Sequence, residues 1–195
     1  VIDVAKGVEE QTEKLVEVCR MRNTPIIVFI NKLDREGKDA FDLLDEVEEK
    51  LKIKVVPLSW PIGMGQLFKG VYNLYEKKLI LFSPHGKQHE EDIIEISDIN
   101  DTLLDQKVGA FAAKELRAEL EILTSVYPSF DTDVYLKGEK SPVFFGSAVN
   151  NFGVKELLDC FVEIAPSPTK RETEERTITP EEEKFSGFIF KIHAN

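Results

Sequence analysis

The sequence predicts an α/β fold: a mostly parallel sheet with flanking helices and an α+β insertion. Three observations predict it. The runs Pro25-Ile26-Ile27-Val28-Phe29-Ile30 and Pro142-Val143-Phe144-Phe145 are continuously apolar, as strands buried on both faces are. Each ends abruptly in a short polar or small motif, Asn31-Lys32-Leu33-Asp34 after the first and Gly146-Ser147-Ala148 after the second. Stretches with apolar residues every three or four positions lie between the strand-like runs, so strand and helix alternate across short joints.

Val1 to Ala5 reads as a short buried strand ending at Lys6-Gly7. The chain starts without an initiator Met, and we read it as a piece of a longer protein. Val8, Thr12, Leu15 and Cys19 form one face of a helix running to about Arg22, supported by Glu10 and Lys14 four residues apart. Asn23-Thr24-Pro25 ends it. After the Asn31 strand and the loop Arg35 to Lys38, Asp39 is the expected N-cap of a helix with Phe41, Leu44, Val47 and Leu51 inward. Ile53 to Leu58 is the next strand, and Phe68 to Tyr75 is extended.

The pattern changes at about residues 78–141, read as the insertion. Lys78 to Phe82 and Asp92 to Ser97 are expected strands around a polar loop from Ser83 to Glu91. One long helix should follow, burying Leu104, Val108, Phe111, Leu116, Leu120 and Leu123. His85 and His89 have a helical metal-binding spacing, but Pro84 and Gly86 argue for a surface loop. Val154, Leu157, Leu158, Phe161 and Ala165 give a closing helix, stopped by Pro166-Ser167-Pro168. Residues 167–183, rich in glutamate, read as a linker. From Lys184 the two-fold pattern of Phe188, Phe190 and Ile192 opens a β domain over 184–195, leaving 1–166 as the main domain. His193 is read as a strand residue without chemistry.

Composition bounds the function. The 195 residues allow one full core and part of a second domain, and 42% hydrophobic with 31% charged residues reads as globular. No apolar run approaches the roughly 20 residues of a membrane helix. Cys19 and Cys160 are expected as reduced, buried thiols, which fits a cytoplasmic protein. A net charge of −11 argues against a nonspecific nucleic-acid surface.

The chemistry sits at the strand ends, where open α/β sheets bind ligands. Asp34 can accept from the ring N–H and exocyclic amino group of guanine together, a pair adenine does not offer. A buried acceptor left unpaired costs roughly 1–3 kcal/mol, so one carboxylate can discriminate. Asn31 can bond the other base edge or tie neighbouring loops, and the Lys32 stem can lie over the base. The Ala148 N–H can donate to a guanine carbonyl oxygen, and Ser147 can brace Asp34 or its loop.

These two motifs, with Val1 to Val8 and Gln11-Thr12, resemble those of the translational GTPases. Within that family the termination branch is most similar, on Trp60-Pro61-Ile62-Gly63, Phe68-Lys69-Gly70-Val71-Tyr72, Asn151-Phe152-Gly153-Val154 and Gly187-Phe188-x-Phe190. The resemblance implies the C-terminal part of a P-loop GTP-binding domain followed by a β-barrel domain. It implies GTP and GDP as ligands, read by Asn31, Lys32, Asp34, Ser147 and Ala148, and partners in the ribosome and the release factors that read stop codons. It also implies that the phosphate loop, the switch regions and the Mg²⁺ ligands precede Val1. No G-x-x-x-x-G-K-[ST] occurs in the 195 residues, so this piece alone is expected to be inactive. The alternatives are a translocation GTPase similar to elongation factor G and a non-enzymatic interaction module with vestigial guanine motifs.

Overall fold

The computed structural model describes residues 1–83, 92–187, 189 and 192. His85, His89, His193 and most of the expected Ser83 to Glu91 loop lie outside the described residues, as do Phe188 and Phe190. The chain divides into two units, Val1–Ile164 and Ala165–Asn195.

The first unit carries the predicted parallel sheet. Its strands are β1 (Ile2–Asp3), β2 (Val28–Asn31), β3 (Lys54–Pro57) and β8 (Lys140–Phe145), in the order β1-β2-β8-β3. All three pairings are parallel. The continuous hydrophobicity of the strands follows from burial on both faces. Val28, Ile30, Val55, Val143 and Phe145 face one core with α1 (Glu10–Met21) and α2 (Ala40–Leu51). Their neighbours Phe29, Val56 and Phe144 face a second core with Tyr135, Cys160 and Ile164, from α5 (Thr132–Leu136) and α6 (Val154–Ile164).

Asp39 caps α2 as expected, its carboxylate accepting from Phe41 N at 2.8 Å and Asp42 N at 3.4 Å. On the same helix Glu46 accepts from Lys38 Nζ and Lys50 Nζ, each at 2.6 Å, and from Val8 N at 3.3 Å, tying the start of the first crossover to α2. Burial raises the Glu46 carboxyl, and the two ammonium groups outweigh it, leaving its pKa below the usual range.

A second sheet, wholly antiparallel, runs β4-β5-β6-β7: Ser59–Ile62, Gly70–Asn73, Lys78–Leu81 and Ile93–Glu95. It begins at Ser59 rather than near residue 78, because Ser59–Ile62 pairs with Gly70–Asn73 and not with the parallel sheet. The Ser59 hydroxyl, which accepts from Phe145 N at 2.9 Å, joins the two sheets.

Three expected helix faces are corrected. The single long helix is two, α3 (Thr102–Val108) and α4 (Ala110–Val126), broken where Gly109 takes φ 88°. Phe111 lies past that break and is exposed, while Leu116, Leu120 and Leu123 are buried as expected. On α1 Val16 is buried and Leu15 exposed. On α6 Leu158 and Phe161 are exposed, and Glu156, Cys160 and Ile164 face inward. Each of these sequences holds more apolar residues than its buried stripe can use, so neighbours choose the face. Cys160 is buried and its thiol pushed up to about 11 by burial; Cys19 is half-buried, and both are free.

In the second unit, the expected linker folds into an antiparallel ribbon of β9 (Arg171–Glu172) and β10 (Thr177–Ile178). Thr173 Oγ1 and the Arg176 backbone close its turn. The described residues from Lys184 onward carry no strand.

Candidate functional site: the rim between β2 and β8

The two motifs meet because β2 and β8 are adjacent parallel strands, with Ile30 level with Phe145. The next residues, Asn31 to Asp34 and Gly146 to Ala148, leave the sheet side by side at its carboxyl edge. Backbone bonds hold the two turns together: Gly146 N to Ile30 O at 2.9 Å and Leu33 N to Gly146 O at 3.2 Å. Only glycine fits at 146, since an added Cβ would lie 2.4 Å from Phe152 O and 2.7 Å from Phe29 Cζ. Leu33, fully buried, plugs the loop into the core between the polar members of its motif.

Side chains complete the tie. Ser147 Oγ donates to Asp34 Oδ1 at 2.5 Å and accepts from Asn150 Nδ2 at 2.8 Å. The Asn150 bond orients the hydroxyl, so its proton points at the carboxylate and fixes Asp34 in turn. Asn31 Oδ1 accepts from Lys32 N and Ala148 N, both at 2.8 Å. Asn31 is therefore the strap between loops rather than a side chain aimed wholly outward. The Ala148 N–H, expected to be available to a base carbonyl, is held by Asn31 instead, because the short amide spans two neighbouring strand ends.

Lys32 has a left-handed backbone at φ 73°, a conformation uncommon for a residue with a Cβ. Its ammonium lies 2.6 Å from Asp3 Oδ2 on β1. The Lys32 hydrogen bond, with donation from Ala5 N and Lys6 N, holds the Asp3 carboxyl below its usual pKa against the effect of burial. All five expected site residues thus converge on one rim.

Sequence reasoning missed Asp3, Asn150 and Phe152 as supports. Asp3 had a signal, an acid inside an apolar strand run. Asn150 had none, and Phe152 stood only in the resemblance motif Asn151-Phe152-Gly153-Val154, since the support both give depends on the turn that follows β8. Phe152 exchanges backbone bonds with Ser147 at 3.0 Å each way, and its ring packs on Phe68 and Phe82.

The rim can present one oriented carboxylate, one amide donor and one lysine stem, which is the chemistry of a planar base with adjacent N–H donors. Among the described residues no group of three or more His, Cys, Asp or Glu side chains is placed to hold a metal ion. No described helix is long and apolar enough to cross a membrane.

The elongation factor Tu GTP-binding domain model matches residues 1–167. A Thermus thermophilus protein of known crystal structure superposes with a TM-score of 0.58 at 19% identity, over 85% of this chain and 26% of its own. That likeness shows the fold, and the chain spans about a quarter of that protein's length. A family match that runs through both rim motifs, on a sheet of the corresponding fold, is decisive: the chain belongs to the translational GTPases, in the family of the elongation factor Tu GTP-binding domain.

Proposed function

We propose that these residues are the base-reading part of a GTPase that acts on the ribosome in translation termination, of the kind of peptide chain release factor three. In this reading the whole protein binds and hydrolyses GTP with Mg²⁺ and promotes release and recycling of the factors that read stop codons. Asp34 accepts the ring N–H and amino group of guanine, Asn31 serves the opposite edge, the Lys32 stem covers the base, and Ser147 with Ala148 closes the pocket. The 195 residues alone are expected to show no turnover, since phosphate contacts supply much of a nucleotide's binding and orientation.

The observation that carries the guanine part of this reading is the 2.5 Å bond from Ser147 Oγ to Asp34 Oδ1, while the termination role rests on the sequence resemblance. It fixes one carboxylate oxygen and leaves Oδ2 without a partner among the described residues, as a selector of one purine edge requires. The Asn31 side-chain N–H₂ likewise has no partner among them. Donation by Ala148 N–H to a base carbonyl would exchange its present bond to Asn31.

The test is Asp34→Asn in the full-length protein. Replacing the carboxylate by an amide should weaken GTP binding and shift preference towards xanthosine nucleotides, by about tenfold or more for each unpaired polar group. Unchanged guanine preference would reject the reading. A ribosome assay comparing release-factor recycling with translocation separates the termination role from the elongation-factor-G-like one, and translocation without recycling would overturn the former.

A further inference from the structure

We propose that Asp3, on the strand beside β2, is a positioning residue for nucleotide binding: it anchors the Lys32 ammonium at the sheet rim and so sets the lysine stem over the base site. The inference rests on the guanine reading of this rim and adds to it a residue from a third strand.

Asp3 pairs in register with Asn31, one position before Lys32. Its two oxygens have separate duties. Oδ1 accepts from Ala5 N at 2.9 Å and Lys6 N at 3.3 Å, which locks the carboxylate to the turn after β1. Oδ2, held in place by that turn, takes the Lys32 ammonium at 2.6 Å. The side chains retain only 16% and 40% of their exposure, so the pair is less screened than a surface pair.

This arrangement does two things for a ligand. A free lysine loses rotamer entropy when it is ordered. Here the fold has already ordered it, so less is lost on binding. The pair also gives the ammonium a partner other than Asp34, two residues along the same loop. A Lys32–Asp34 ion pair would occupy the acceptor that the base needs. Asp3 thereby keeps cation and selector apart.

The experiment is a double-mutant cycle on the full-length protein, with Asp3→Asn, Lys32→Ala and the double variant, read by affinity for a fluorescent GDP analogue. Asn keeps the carbonyl oxygen that caps the turn and removes only the charge, and thermal unfolding checks that the variant folds. Asp3→Asn should weaken binding by about fivefold to tenfold when Lys32 is present and change nothing further when Lys32 is alanine. GTP turnover at saturation should stay within about twofold, since the effect lies in ground-state binding. Equal losses in both backgrounds would assign Asp3 a merely structural role and overturn the proposal, as would no loss in either. Failure of the guanine reading shows separately, as unchanged base preference in Asp34→Asn.

Discussion

The two sheets of the first unit use polar groups in opposite ways. In the antiparallel sheet they are consumed internally. Trp60 Nε1 donates to Glu119 at 2.7 Å, Tyr72 O–H donates to Ile96 O at 2.8 Å, and Asn73 Oδ1 caps the turn by accepting from Tyr75 N and Glu76 N. At the rim of the parallel sheet, polar groups are held on one side and offered on the other: Asp34 is braced by Ser147, and Asn31 by two backbone donors. The difference teaches how to separate packing from recognition. A polar side chain with every bond made inside the fold stabilises that fold. One that is oriented by neighbours yet keeps a donor or acceptor to spare is built to meet something else. Cavity size alone would mislead, since the grooves of about 410 and 560 Å³ beside α4 are lined by other residues.

The sharpest way to break this contrast is Phe152→Ala. Phe152 is buried and stacks edge-on to Phe68 and Phe82, at 5.5 and 5.3 Å between centroids, so it props the Ser147 turn against the side chains around the second sheet. Truncation should cost about 3–5 kcal/mol in urea unfolding. It should also weaken guanine-nucleotide binding, and wild-type affinity would show that the second sheet does not support the rim.

Next in size is Glu46→Gln, which leaves Lys38 and Lys50 without their shared carboxylate and should cost about 1–3 kcal/mol at neutral pH. The sign with pH follows from the lowered carboxyl of Glu46. Its contribution is present above the ordinary carboxylate value and lost as pH falls through the lowered one. Acid titration of unfolding should therefore converge for wild type and variant at low pH; a gap that persists there would refute the ion-pair account.

The smallest effect, and the opposite sign, belongs to the second sheet. Burial raises the Glu119 carboxyl, with the Trp60 bond opposing, and Asp39 and Glu115 raise it further. The cost of ionising it in the fold appears as pH rises from the ordinary carboxylate value through the raised one. Glu119→Gln, which can still accept from Trp60, should be more stable than wild type at neutral pH by up to about 1 kcal/mol, with the gain vanishing in acid. Nucleotide affinity should not move. A drop in affinity would blur the division between the two sheets.

Much of this was legible beforehand where a local pattern has one solution. A continuously apolar run such as Val28 to Ile30 must be covered on both faces, and Asp39 before an apolar-periodic stretch is a cap in almost any context. The helix faces were less legible. Leu15 and Val16 are both apolar, and α1 buries Val16 only because of what lies against it. Gly109 breaks a helix that its flanks would otherwise continue, and nothing around it fills the space a Cβ would take. Ser59–Ile62 could be assigned to a sheet only through its partner strand.

The sequence by itself determined the alternation of strands and helices, and so that polar motifs would stand at strand ends with guanine-compatible chemistry. Periodicity and end motifs are properties of neighbouring residues. Only the tertiary structure decided that β2 and β8, separated by more than a hundred residues, lie side by side, that Asn31 spends its carbonyl on Ala148, and that Asp3 reaches Lys32. Those are contacts between strands, and strand order is set by the packing of whole faces, which no single stretch of chain encodes.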